Sequence, residues 1–598
     1  MITMLSDLPS EIVVHITIYL PTISGVTNLA QTCQRLYKII NTEESSIFRS
    51  FVQNKFPCIE TPPLWKDAAR ALTSRSRALD KLGIIGRFVI PPQANATTRI
   101  GFQEPTRRDN PTLGYRPAID SYEVWHGERW TDRREVLAWG AGHQIVLRSK
   151  QSGIQSKEQW VSFNDVEEAT SFDDVCGLHL LRDEKWRQDS GVEHLVFGRL
   201  RGELAHVELS LDTATHEHKQ RFNTNGLSLE QTDLSGDTLA AHFDNGSVAL
   251  YTLNSDESEI EPFAWAGSEL DPLIKSRYSK LLSPLKLAIA TGRLENSLSI
   301  NIISNDGACI YREIGVDSLD LEDQVGRSVN AAVTAIAPLN TISCNGSPGD
   351  VFLAAWGDRT IRLHDLRSPH SNESTYRDTT DTNLIYSVQP FGHDRFLAGA
   401  GGNAVLKIFD LRMSKIYSYL DAQVPPIQTQ TSISPKRAER PAPHGPRKDF
   451  SLFLSAQLPS ATPGNLRARR RGPYRGPIYT MSTPSPSSPT VYTGIVDGVV
   501  RLDFASTDDL TGPSREWFDY DLNIEKGGQS VPVGTENVLR IAGYERPDQD
   551  DFTTTSKLRR QHECWYLEDR HATNVAEPGW DRRWEALEQS GAWRRRDG

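Results

Sequence analysis

The pattern of apolar and polar positions changes along the chain. Up to about residue 82, apolar residues recur every three to four positions with few glycines. The stretch from Trp65 to Leu79 has a good helix-forming composition. From about Gly83 onward the chain breaks into short apolar or alternating runs punctuated by Gly, Asn, Asp and Pro, which predicts many short antiparallel strands joined by turns.

Those runs repeat. Leu353-Ala-Ala-Trp-Gly-Asp-Arg-Thr-Ile-Arg-Leu-His-Asp-Leu-Arg367 aligns without a gap on Ala398 to Arg412, 45 residues later, with Asp-Leu-Arg kept in register. The segments starting at Leu195 and Leu239 form a second pair, 44 apart, and weaker copies run from Leu137 to Leu147, Leu287 to Ile303 and Tyr492 to Leu502. Each of these seven cores is a strand, a tight turn and a second strand, and a period of about 40 to 45 is the spacing of four-stranded propeller blades.

The residues Trp356-Gly-Asp-Arg-Thr-Ile-Arg-Leu-His-Asp365 and Phe409-Asp410 resemble the end of a WD40 repeat, with Gly392-His393 as an upstream Gly-His pair. The resemblance implies a mostly β fold: a seven- or eight-bladed WD40-like β-propeller over residues 85–577, preceded by a small all-α domain and closed partly by the C-terminal segment. The last blade spacing, Leu406 to Val500, is about twice the others, and residues 435–485 are basic and Pro-rich: Ser434-Pro-Lys-Arg437, Arg467-Ala-Arg-Arg-Arg-Gly-Pro-Tyr-Arg475, Ser482-Thr-Pro-Ser-Pro-Ser-Ser-Pro489. Such a composition buries too little apolar surface to order itself, so this stretch reads as a largely disordered insertion with Phe450 to Leu454 as an ordered island. Residues 578–598 read as a C-terminal tail.

The opening helix, expected from near Leu8 to before Pro21 with Asp7 as N-cap and Pro9 in its first turn, is apolar on two faces. At ~100° per residue, Ile12, Val13, Ile16 and Leu20 share one face while Val14 and Ile18 lie opposite. Two apolar faces call for two partners.

Leu8-Pro9-x-Glu11-Ile12, Ile16, Leu20, Leu29 and Thr32-Cys33-Gln34-Arg35-Leu36, with Tyr37 as the aromatic near Leu36, resemble an F-box spanning residues 4–52. A linking helix is expected within residues 56–82. The resemblance implies docking on a Skp-type adaptor of a cullin-RING ubiquitin ligase through Leu8, Pro9, Ile12, Ile16 and Leu20, with Val14 and Ile18 turned inward. Burying one Ile or Leu contributes roughly 1.5–3 kcal/mol, enough for a few anchors to matter after association costs. The chain then reads as the substrate-recognition subunit of an SCF-type ligase, not itself an enzyme. The alternatives are an interaction scaffold outside any ligase, or a hydrolase or lyase with a polar cluster in the propeller channel.

Composition narrows the classes further. With 38% hydrophobic and 24% charged residues and no apolar run of membrane-spanning length, no membrane partner is expected. The absence of a basic leader points to cytosol or nucleus. A net charge of −11 makes nucleic acid a poor partner outside the Arg467–Arg475 cluster. The six cysteines are too scattered for a zinc knuckle and read as reduced, mostly buried thiols. His216-Glu-His218 has no third ligand at a useful spacing and reads as a surface loop, Gly399-Ala-Gly-Gly402 as a turn, and Asn245-Gly-Ser and Asn345-Gly-Ser as turns. Neither metal nor cofactor is expected, and no catalytic constellation stands out.

Overall fold

The computed structural model describes residues 5–586 except for short gaps and longer stretches, chiefly 183–190, 268–277, 316–331, 340–345, 413–449, 455–473, 519–537, 547–557 and 562–578. Among the described residues up to 80 there are five α-helices: α1 (Ser10–Tyr19), α2 (Ile23–Gln31), α3 (Gln34–Ile40), α4 (Ser46–Lys55) and α5 (Trp65–Asp80). A short turn, Leu5–Asp7, precedes α1, whose N-cap position is Pro9 rather than Asp7, so the helix starts two residues later than Leu8. Thr22 caps α2 by accepting from the Gly25 amide (3.3 Å), and the Cys33 sulfur does the same for the Leu36 amide at α3 (3.5 Å).

α5 ends in a left-handed residue. Leu82 has φ of 53°, and the amide of Gly83 reaches back to the Ala78 carbonyl (2.8 Å), closing the helix as a Schellman motif. Glycine stands one place after the left-handed position because a Cβ at Gly83 would lie 2.6 Å from the Ser506 backbone.

All the aligned repeats are the second and third strands of antiparallel sheets. Among the described residues, six four-stranded meanders each come from one stretch of chain: 119–164, 175–222, 229–266, 278–314, 333–377 and 385–453. A further sheet is composite. Strands Thr480–Ser482, Thr490–Ile495 and Gly498–Phe504 are completed by β1 (Ile84–Phe88), which pairs antiparallel with the last of them. The innermost strands touch in ring order, and Thr480–Ser482 packs on Ile119–Trp125, so the ring closes: this is a WD40-like β-propeller. Against the expectation of seven or eight blades, six are each built from one stretch of chain among the described residues; the copy at Tyr492 to Leu502 lies in the composite sheet, which needs a strand from the other end of the chain.

The Asp-Leu-Arg register proves structural. In Asp365-Leu-Arg367 and Asp410-Leu-Arg412 the carboxylate accepts from the Arg amide (3.0 and 3.1 Å) and from its Nε (2.9 Å in both). Trp356 Nε1–H donates to His364 Nε2 (3.3 Å) and the His364 Nδ1–H donates to the Ser371 carbonyl (2.6 Å), which fixes a neutral imidazole in the core. Gly392-His393 serves elsewhere: the His393 ring meets Phe56 edge-on at 5.6 Å, between helices and propeller.

Phe450–Phe453 is the outer strand of the sixth blade, and residues 474–485 are built into the ring, with Thr480–Ser482 innermost. The Ser/Pro run there is a buried turn: Ser487 and Ser488 are fully buried, Ser485 and Ser487 hydroxyls bond the Glu123 carboxylate, and Arg75 of α5 bonds the Pro486 carbonyl. Hydroxyls satisfied by a buried carboxylate replace the apolar surface that the composition lacks. Residues 435–449 and 455–473 lie outside the described residues.

The C-terminal chain enters the sheets as well. Val538–Leu539 pairs with β1, while Ala542–Glu545, Leu558–Gln561 and Trp584–Ala586 extend the sixth blade, so the C-terminal chain belts two neighbouring blades together. Trp580 and Trp584 pack on Phe450, and Trp584 Nε1–H donates to the Leu82 carbonyl (2.6 Å). Arg546 is buried with its guanidinium over the Phe409 ring (4.0 Å) and bonds to the carbonyls of Phe450 and Ile408.

Candidate functional site

The helical unit is docked on the ring. α2, α4 and α5 share one apolar core with Ile85, Trp130, Ala505, Leu510, Trp517 and Phe518 of the propeller. Asp67 of α5 accepts from the Trp130 amide (2.7 Å) and from Trp517 Nε1 (3.1 Å). Farther along, Arg77 pairs with Asp509, Lys81 with Asp508 (2.8 Å) and Asp80 with Arg395 (2.9 Å). Arg75, wholly buried over Phe391 (4.8 Å), has its pKa lowered to about 10 by burial. The loops that α5 touches, around Trp130, Gly392 and Pro486, each join a first strand to a second; because strands alternate in direction, the helices cover one end of the ring and the turns between second and third strands lie at the other.

On α1 the buried face is that of Val13 (1% exposed) and Thr17, with Val14 and Leu20 packed on the helical core. Thr17 sits there because its hydroxyl donates to the Val14 carbonyl (2.6 Å). Facing away are Ile12, 46% exposed, the half-buried Ile16, and Tyr19, 70% exposed. Pro9 is exposed and Leu8 half-buried, with the Leu8 carbonyl held by the Arg35 guanidinium of α3 (3.1 Å). Leu20, beyond the last helical turn, folds inward rather than toward the expected adaptor face, with Val13 inward beside it; Val14 packs on the helical core and Ile18 is half-buried at the margin.

Sequence reasoning missed Tyr19. Its phase lies ~20° from Ile12 on a helical wheel, so the signal was present; its ring meets His15 at 5.2 Å. Leu5 (44% exposed) and Tyr37 (57%) add exposed apolar surface on the same small domain.

A family model described as F-box-like matches residues 5–53. Residues 5–53 form an F-box-like domain.

Among curated proteins none matches the chain. Among solved structures, the WD40 beta propeller domain of Doa1 is similar at 11% identity, over 65% of this chain and 93% of that one, with a TM-score of 0.36. At that score the likeness adds nothing to the topology, which carries the fold assignment here.

The remaining candidates fall into the scaffold. His216 and His218 lie on the strand Thr215–Phe222, not in a loop; the His218 ring lies 3.6 Å from Asp165. No group of three His, Cys, Asp or Glu suited to a metal occurs among the described residues. Gly401 and Gly402 form a hairpin turn, and Asn245-Gly-Ser is an Asx turn, its Oδ1 accepting from the Ser247 amide (2.9 Å); Asn345 lies outside the described residues. Cys33 and Cys176 are half-buried and Cys309 is exposed, which corrects the reading of mostly buried thiols for that one; burial pushes Cys176 up to about 12.

The innermost strands are polar rather than uniformly Ala/Gly, yet their groups bond one another across blades. Asp120 accepts from the Leu180 amide and Asp233 from the Leu281 amide, while Lys280 pairs with Asp233 (2.6 Å) and His179 bonds Thr232 (2.9 Å). These are staples between neighbouring blades. No helix among the described residues is long and apolar enough to cross a membrane.

Proposed function

We propose that this protein is the substrate-recognition subunit of a cullin-RING ubiquitin ligase of the SCF type: the F-box-like domain binds a Skp-type adaptor and the end of the propeller opposite the helices binds a protein substrate. Its contribution is positional, and the ligation chemistry belongs to its partners. The observation that carries the reading is the outward face of α1, where Pro9, Ile12, Ile16 and Tyr19 stay accessible while α2, α4 and α5 bury their apolar faces in the core shared with the propeller. Leu8, beside them, completes the surface; Leu20 supports it from within.

On this reading the composite sheet counts as a seventh blade, and the two ends of the chain lock the ring on which the substrate sits. α5, fixed by Asp67, Arg75 and Arg77, holds the adaptor end rigidly relative to the substrate end, and the cytosol or nucleus is where such a ligase works. Co-purification of the full chain with recombinant adaptor and cullin tests the function. Adaptor and cullin together support it; adaptor without cullin supports a scaffold outside a ligase.

A further inference from the structure

A strip of chain carrying two short strands runs along the outer edges of two blades. Glu259–Ile260 pairs parallel with the outer strand of the second blade, and Ala264–Ala266 then pairs antiparallel with the third strand of the third blade. Between and beside these pairings, burial alternates: Ile260, Ala264 and Ala266 turn inward, while Glu257, Glu259, Glu261, Phe263 and Trp265 turn outward. The strip thus shows solvent three carboxylates and then two aromatic rings at a two-residue spacing.

Both rings are 39% exposed, and the Trp265 ring is steadied by Phe243 beneath it (5.8 Å). The next strand along the rim, Gly307–Ile314 of the fourth blade, touches Ala264–Ala266 and carries Ile310 (64% exposed) and Tyr311 (55%). A bulge opposite Ile300 and Asn301 lets both of these neighbours face out. Of the basic groups nearby, Lys219 pairs with Glu208 and Glu217 and Arg312 donates to the carbonyls of Leu366, Ser368 and His370; Arg221 lies opposite Glu259 in the sheet, and Glu261 accepts from the Asn223 amide side chain (2.8 Å) while staying exposed.

We propose that this rim is a docking surface for an extended segment of a partner protein that carries lysines or arginines followed by apolar anchors. Charge complementarity selects the basic residues and the exposed rings select the anchors. Alternating side chains on an extended segment match the strip's own spacing. The inference stands apart from the adaptor reading.

The test uses the full chain and two fluorescein-labelled ten-residue peptides. One has lysines at three alternate positions, then leucine and tryptophan at the next two alternate positions, with serines between; the other has glutamates for the lysines. Fluorescence anisotropy is expected to show saturable binding of the lysine peptide alone. Binding should weaken about tenfold in Glu257→Lys/Glu259→Lys/Glu261→Lys, and comparably in Trp265→Ala, and should fall in 0.5 M salt as screening shortens. All three glutamates are exposed, so the triple variant tests charge without disturbing the core, and Ile12→Asp should bind the peptide as the unaltered chain does. No saturable binding, equal binding of both peptides, or a triple variant that binds like the unaltered chain overturns the proposal. So does concentration-dependent self-association that the triple variant abolishes without any peptide binding, since the occupant is then a second copy.

Discussion

At the residue scale, neighbouring positions on one helix have opposite fates. Val13 is buried in the domain and Ile12 is not, so Val13→Asp strands a carboxylate in an apolar core whereas Ile12→Asp places one in water. Thermal unfolding should therefore show a clear loss of Tm for Val13→Asp and almost none for Ile12→Asp. His364 makes a second residue-scale case. Burial lowers its pKa from 6.5 to about 4, and its Nε2 already accepts from Trp356, so a proton there would face a donor. Below pH 6.5 the unfolded chain takes up a proton that the folded chain refuses, so stability falls as pH drops from about 6.5 to about 4 and is unaffected by this group above that window. His364→Gln should flatten that part of a urea-unfolding profile against pH; an unchanged slope would contradict the assignment.

Elements were legible where local pattern and tertiary need agreed. The Asp-Leu-Arg register marked consecutive blades because each Asp clasps its own Arg, and the Ala-rich second strands marked the positions where blades stack. The Ser/Pro run was misread because its burial rests on hydroxyl and carboxylate bonds to Glu123, 362 positions away from Ser485, which no local composition reveals. The C-terminal strands were illegible for a related reason: they are short, and only the open edges of two blades make them strands. The helix α5 was legible in composition, but its function as the joint depends on groups such as Trp130 and Trp517. Asp67→Ala leaves two donors without their acceptor, at a cost of about 1–3 kcal/mol each where buried. Limited proteolysis should then cut between helices and propeller faster than in the unaltered chain, with the propeller fragment intact.

At the scale of the whole molecule, closure and coupling are the same feature. β1 enters the composite sheet directly after α5, and the strands from Val538 to Ala586 extend that sheet and the sixth blade, so the helices of the N-terminal unit are bound to the seam of the ring. Truncation after residue 537 removes the outer strands of both blades and the Trp580 and Trp584 contacts. It should lower Tm and yield aggregating protein, since it exposes two strand edges at once; a soluble monomer with unchanged Tm would refute the belt as part of the fold.

The central claim is that the outward face of α1 docks an adaptor while the rest of the chain remains a closed propeller. Size-exclusion chromatography with light scattering, on the full chain mixed with a recombinant Skp-type adaptor, tests it most directly. A one-to-one complex is expected for the unaltered chain and is expected to be lost in Ile12→Asp/Ile16→Asp with Tm unchanged. No complex with the unaltered chain, or an equally stable complex with the variant, would contradict it.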